Sequence, residues 1–175
     1  MNLNIRTKIK TMKKQKKLRV GIFSFTGDEG CVITFLEILN IYFFKWKDII
    51  EFKYARVLQS KNEVKDIDVS FVEGAISSPR EEKSIKKIRK NSKRVVAIGS
   101  CAIDGSPSNH RNFFDAARKK EIMPIIKKFN LNKRVEPLNK FIKVDTIVPG
   151  CPMMEGKFIE VLNKYFKEFG ILIPK

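Results

Sequence analysis

Three cysteines, Cys31, Cys101 and Cys151, are the residues of this chain best suited to inorganic chemistry. Each stands in a short turn-forming string: Thr26-Gly27-Asp28-Glu29-Gly30-Cys31, Gly99-Ser100-Cys101-Ala102 and Pro149-Gly150-Cys151-Pro152. Thiolates are soft ligands that suit zinc or iron-sulfur centres. Neighbouring glycines, Gly99 and Gly150 among them, let backbone approach closely and offer turn N–H groups to sulfur. Three thiols cannot all pair with one another and nothing marks secretion. Free thiols or metal ligands in a cytoplasmic protein are therefore the natural reading. A single cysteine would more often be a small buried core residue. Three at equivalent places favour a metal over packing.

The equivalence comes from the elements that precede them. Leu18 to Phe25 is a short apolar, β-branched run closed by Thr26-Gly27, the pattern of a buried strand and turn. Strands also read at Glu51 to Leu58, Asp68 to Glu73, Arg94 to Gly99 and Val144 to Val148. Helices read at Gly30 to Lys47, Pro79 to Asn91, Asn112 to Phe129 and Glu155 to Phe169, the first mostly buried through Val32, Ile33, Leu36, Leu39, Ile41, Phe43 and Phe44. Pro79 suits a first helical turn behind Ser77 or Ser78 as N-cap, with Glu81 and Glu82 at the positive end of the dipole. Pro124 should break or kink its stretch into two pieces. The alternation predicts an α/β fold, an open parallel sheet with helices on both faces. Each cysteine then falls just past a strand's carboxyl end, on the rim where such sheets hold ligands.

Length and composition agree with one folded domain. The chain has 175 residues, 43% hydrophobic and 31% charged, enough apolar material to offset the entropy of folding. Its formal net charge is +17. Residues 1–17 carry seven basic side chains (Arg6, Lys8, Lys10, Lys13, Lys14, Lys16 and Lys17) and no acid. That run reads as a solvated flexible tail, Met12 being a second candidate start, or as an arm on nucleic acid or anionic lipid. Residues 18–175 form the single domain. No stretch approaches the length of a signal-peptide core or a membrane span.

Several ordered motifs resemble the small subunit of NiFe hydrogenases and, more distantly, the cluster-bearing 20 kDa subunit of NADH:quinone oxidoreductase. They are Val20-Gly21-Ile22-Phe23, Asp68 through Gly74, Ile88 through Lys93, Val95 through Ala102, and Val144-Asp145 through Pro152. The compact length, Arg111-Asn112, and Pro137-Leu138 ahead of Phe141 to Asp145 look most like the cytoplasmic sulfhydrogenase delta-type subunit, without room for the extra cluster domain of longer relatives. The resemblance covers residues 18 to 165. It implies a flavodoxin-like fold, one proximal 4Fe-4S cluster, and docking against a hydrogenase-type large subunit among further electron-transfer subunits. The chain would relay electrons and have no turnover alone. The family's first motif is Cys-x-x-Cys. Here Cys31 fills its second position and Asp28 its first.

Asp28 is therefore expected as a fourth ligand that raises the potential, as replacing thiolates does in Rieske centres. The alternatives are a 3Fe-4S cluster on three thiolates, a water or partner-supplied ligand, a homologue that has lost the cluster, or Asp28 as a turn or cap acid. Family position gives Glu73 a role beside the cluster or partner. His110 reads as a loop residue, and Trp46 with Tyr42, Phe43 and Phe44 as core. Two rivals remain. The charge motivates a nucleic-acid-binding module, disfavoured because the basic residues are dispersed and no nucleic-acid motif appears. A free nucleotide or flavin binder lacks both GxGxxG and a Walker lysine.

Overall fold

The computed structural model describes residues 15–174, so most of the basic tail lies outside the described residues. Five strands, β1 (Leu18–Ser24), β2 (Ile50–Ala55), β3 (Ile67–Glu73), β4 (Ser92–Ile98) and β5 (Thr146–Val148), form one sheet in the order β2-β1-β3-β4-β5. All four pairings are parallel. This is the flavodoxin-like winding, whose strand order reverses between β1 and β3.

Side chains alternate between two apolar layers, which is what a sheet covered on both faces requires. Val20, Phe71, Val96 and Ile98 pack under α1 (Gly30–Trp46) and α5 (Glu155–Glu168), against Phe35, Ile38, Phe158 and Phe166. Phe23, Val72, Val95 and Ala97 face α2 (Pro79–Lys90) and the short α3 (Ser100–Ile103), against Ile85, Ile88 and Ala102. All seven residues of β3 are buried. Its polar members are satisfied: Asp68 is paired with Arg19, Ser70 with Ser92 at 2.7 Å, and Glu73 accepts from the Val32 N–H. At the start of α2, Ser78 Oγ accepts from the Glu81 N–H and Pro79 opens the first turn, as the sequence predicts.

The structure departs from the sequence reading in three places. The Asn112–Phe129 stretch is two pieces, but the division is not at Pro124. A 3-10 turn, His110–Phe113, is followed by α4 (Ala116–Lys128), which Asp115 caps by accepting from the Arg118 N–H at 2.8 Å. Pro124 lies inside α4; a mostly exposed helix tolerates one missing backbone donor, whereas Asp115 supplies a cap that restarts the chain. On α1, Trp46 is core, but Ile33, Ile41, Phe43 and Phe44 face outward. The helix is apolar beyond the face that the sheet can cover. Finally, β2 stops at Ala55, because the Asn62 side chain takes the Ala55 N–H at 2.7 Å and turns the chain away.

Candidate cluster-binding site

Each cysteine is placed by a strand end. Past β1, the Gly27–Glu29 turn leads into α1, whose second residue is Cys31. Past β4, Gly99 turns the chain into α3, whose second residue is Cys101. Past β5, the Pro149–Met154 turn carries Cys151, closed by the Met154 N–H donating to Pro149 O at 2.8 Å. The β4 and β5 turns are tied together: the Ser100 N–H donates to Gly150 O at 2.8 Å, and its hydroxyl donates to the same oxygen at 3.2 Å.

All seven residues named from the sequence, Asp28, Cys31, Glu73, Gly99, Cys101, Gly150 and Cys151, line one small cleft at the carboxyl rim. Cys31 is buried, Cys101 half-buried and Cys151 exposed. Gly99 (φ +78°) and Gly150 (φ +119°) hold backbone conformations that side chains disfavour. A methyl group on Gly99 would collide with Cys31 Sγ, and one on Gly150 would collide with Pro152 O. The cleft thus depends on the absence of side chains beside its sulfurs.

Electrostatics favour neutral groups here. Burial pushes the Cys31 thiol up to about 11, with Glu73, Cys101 and Asp28 adding to the rise and a Met153 backbone hydrogen bond opposing it. Burial likewise raises the Glu73 carboxyl to about 7, against the Val32 N–H that donates to its Oε2 at 2.7 Å. A deprotonated Cys31 therefore needs a positive partner, such as a metal. Asp28 Oδ1 accepts from the Gly30 N–H at 3.0 Å, so one of its oxygens acts as a turn cap.

One contributor escaped the sequence reading. The Ser108 hydroxyl donates to Cys101 Sγ at 3.2 Å. Nothing in the spacing Cys101 to Ser108 signals this, because an irregular turn closes it. Asn112 grips Val135, accepting from its N–H at 2.9 Å and donating to its oxygen at 2.7 Å, which fixes the segment after α4. His110 lies away from the cleft, edge-on to Phe114.

No three His, Cys, Asp or Glu side chains among the described residues are grouped for a single metal ion. The mononuclear zinc reading thus has no geometry behind it. A polynuclear cluster, with each thiolate on a separate iron, takes donors that stand farther apart. The cleft measures about 10 Å3, one water's worth, and Cys151 stands exposed at its mouth. A second cavity of about 950 Å3 opens between β2 and α2, where the Arg56–Asp66 connection provides no helix to fill it; no cysteine lines it.

A parallel sheet in this order, with helices on both faces and three thiols on its carboxyl rim, defines an α/β protein of the flavodoxin-like winding. A family model, NADH ubiquinone oxidoreductase, 20 Kd subunit, matches residues 29–165, and the chain belongs to this family. It is 31% identical over 163 residues to a subunit of the vhu F420-non-reducing hydrogenase of Methanocaldococcus jannaschii, covering 83% of this chain and 56% of that one. It is 28% identical over 150 residues to the delta subunit of sulfhydrogenase 2 of Pyrococcus furiosus, covering 83% of this chain and 60% of that one. The chain therefore spans little more than half the length of these relatives. A chain of a NAD+-reducing [NiFe]-hydrogenase, solved in the H2-reduced state, superposes with a TM-score of 0.72 at 21% identity, covering 91% of this chain and 96% of that one. That likeness establishes the fold. Among the described residues, no helix is long and apolar enough to cross a membrane.

Proposed function

We propose that the chain is a cytoplasmic electron-transfer subunit of a hydrogenase-type complex, holding one 4Fe-4S cluster on Cys31, Cys101 and Cys151 with Asp28 as fourth ligand. The observation that carries this reading is the convergence of three thiols, from three separate strand ends, on one glycine-lined cleft. The donor set suits the group: soft sulfur, no crowding methyl at Gly99 or Gly150, and a hydroxyl donor on Cys101. Bound there, the cluster supplies a one-electron relay site.

The chain's own residues set the conditions of loading. Cys31 is protonated near neutrality, so metal uptake must displace its proton. Cys151, exposed at the mouth, is where an incoming cluster and a partner's surface would meet the cleft. The relatives named as hydrogenase subunits support a large subunit as that partner, with turnover belonging to the assembled complex. A 3Fe-4S cluster on three thiolates is the second reading, favoured by the engagement of Asp28 Oδ1 with Gly30.

Anaerobic reconstitution with iron and sulfide, followed by metal analysis, EPR and redox titration, tests the proposal. The expected result is iron and acid-labile sulfide in cluster stoichiometry, lost on substituting any of the three cysteines by serine. Asp28→Cys should lower the potential if Asp28 is a ligand. Identical potential and spectrum in Asp28→Cys would remove Asp28 from the ligand set. A folded protein that takes up no iron would be a member of the family that has lost the cluster.

A further inference from the structure

The cavity of about 950 Å3 between β2 and α2 follows from the topology. The crossover from β2 to β3, residues 56–66, contains no helix, so β1 and β2 lack on this side the cover that α2 gives to their neighbours. The apolar part of the space is aromatic. Phe23 stacks on Tyr54 with ring centroids 4.3 Å apart, Phe25 lines the same space, and Phe129, just past α4, stands 63% exposed against it. No residue that lines this cavity also lines the cysteine cleft.

The polar part carries unmatched positive charge. Arg19, Arg89, Arg94, Arg118 and Arg134 are each paired with a carboxylate, and Arg111 donates to the backbone oxygens of Ser77 and Asn132. Among the described residues, only two arginine side chains have no such partner, Arg56 and Arg80, and both line this cavity. Lys87, also without a carboxylate, joins them. Arg80, Ser84 and Lys87 recur at i, i+4 and i+7, so they share the face of α2 that borders the space. Two acids line it as well. Glu81 is occupied, accepting from the Ser77 N–H at 2.7 Å and from the Ser77 and Thr26 hydroxyls at 3.0 Å. Glu29 alone is left against three cations.

We propose that this cavity is a nucleotide site, holding a planar heteroaromatic ring against its aromatic wall and the attached phosphate among Arg56, Arg80 and Lys87. Its volume falls within the range of small-molecule sites, which combine apolar and aromatic walls with a few placed polar groups. Stacking on aromatic side chains holds any flat ring by its face and needs no sequence motif. Guanidinium groups bind phosphate through paired N–H donors, and unpaired ones need not first give up a carboxylate. A glycine-rich phosphate loop is unnecessary here, because side chains rather than backbone N–H groups supply the positive partners. That is also why no motif in the sequence marks the site: Arg56 and Arg80 meet only through the β1–β2–β3 topology.

Isothermal titration calorimetry on the full 175-residue, cluster-free chain tests the proposal with AMP and FMN, which carry one phosphate on rings of different size. Adenosine, riboflavin and inorganic phosphate serve as their separate parts. At least one of the two nucleotides should bind at a single site, roughly tenfold or more tightly than its ring or phosphate alone, and the tighter one names the ring. Arg56→Gln with Arg80→Gln should weaken it roughly 30-fold, and Phe129→Ala roughly tenfold. Arg118→Gln with Arg134→Gln removes the same charge outside the cavity and should change affinity by no more than about twofold. All these side chains are exposed, so the fold, checked by circular dichroism, should be unchanged. Failure of both nucleotides to bind, equal binding of phosphate alone, or equal losses in the two arginine pairs would overturn the proposal. A large-subunit complex that is lost in Arg56→Gln with Arg80→Gln, without nucleotide binding, would assign the cavity to that protein instead. Because the assay uses no cluster, its failure leaves the proposed electron-transfer role untouched.

Discussion

The backbone N–H of Val32 donates to the buried carboxylate of Glu73 at 2.7 Å, joining the first turn of α1 to the end of β3 directly beneath the cysteine cleft. Burial nevertheless dominates, and Glu73 titrates near 7 instead of 4.5. A carboxyl whose folded pKa is raised gives stability that is complete below its unfolded pKa and lost as pH rises through the folded one. In the cluster-free protein, Glu73→Gln keeps an acceptor for Val32 but removes the charge. It should leave stability at pH 5 nearly unchanged and raise it by about 2–3 kcal/mol at pH 8. Urea unfolding at the two pH values measures this; an equal effect at both would mean that Glu73 is solvated.

Gly99 makes the cleft dependent on a missing methyl. With φ at +78° and Cys31 Sγ where a Cβ would point, Gly99→Ala combines backbone strain with a steric collision. The expected cost is at least about 2 kcal/mol, together with loss of iron loading. A variant with unchanged urea midpoint and full iron content would show that the β4 turn relaxes freely.

Much of the fold was legible because parallel strands buried on both faces read as continuous apolar runs. Arg94 to Gly99 and Leu18 to Phe25 needed no partner to be recognised. The rim followed from the same logic, since the residue after each strand is fixed by topology. What escaped depends on contacts that no local pattern encodes. Ser108 reaches Cys101 through an irregular turn, and Phe44 looks like core until the sheet is found to have no room for it. Pro124 misled for the opposite reason: a strong local signal on an exposed helix was overridden by the Asp115 cap upstream.

Ser108 offers the clearest means of tuning the sulfur ligands without replacing one. A hydroxyl that donates to a thiolate draws electron density from it and favours the reduced state of whatever it binds. Ser108→Ala should lower the potential of the reconstituted protein while iron and sulfide content stay constant, and Ser108→Thr should restore it. Redox titration followed by EPR reads both changes. A potential unaffected by Ser108→Ala would mean that the hydroxyl turns away when the site is loaded.

At the opposite end of the strands, Asp68 should govern the acid limit of the fold. Burial alone would raise its pKa. However, Arg19 donates through Nε at 3.1 Å and Nη2 at 2.9 Å, its backbone N–H adds a third bond at 3.1 Å, and Lys93 Nζ lies at 2.8 Å. Together they hold Asp68 at about 2, below its ordinary 3.8. A depressed carboxyl contributes stability that is complete above the unfolded pKa and is lost as pH falls through the folded value, here between about 4 and 2. The side chain is almost wholly enclosed, so solvent screening removes little of this and about 2 kcal/mol is at stake. Asp68→Asn should destabilise by about 2–4 kcal/mol at pH 7, because Arg19 and Lys93 then face a neutral amide, and by little at pH 2. Urea midpoints across that range should converge for wild type and variant as the pH drops. Curves that stay parallel would mean that Arg19, Lys93 and Asp68, at the base of β1, β3 and β4, act through packing rather than charge.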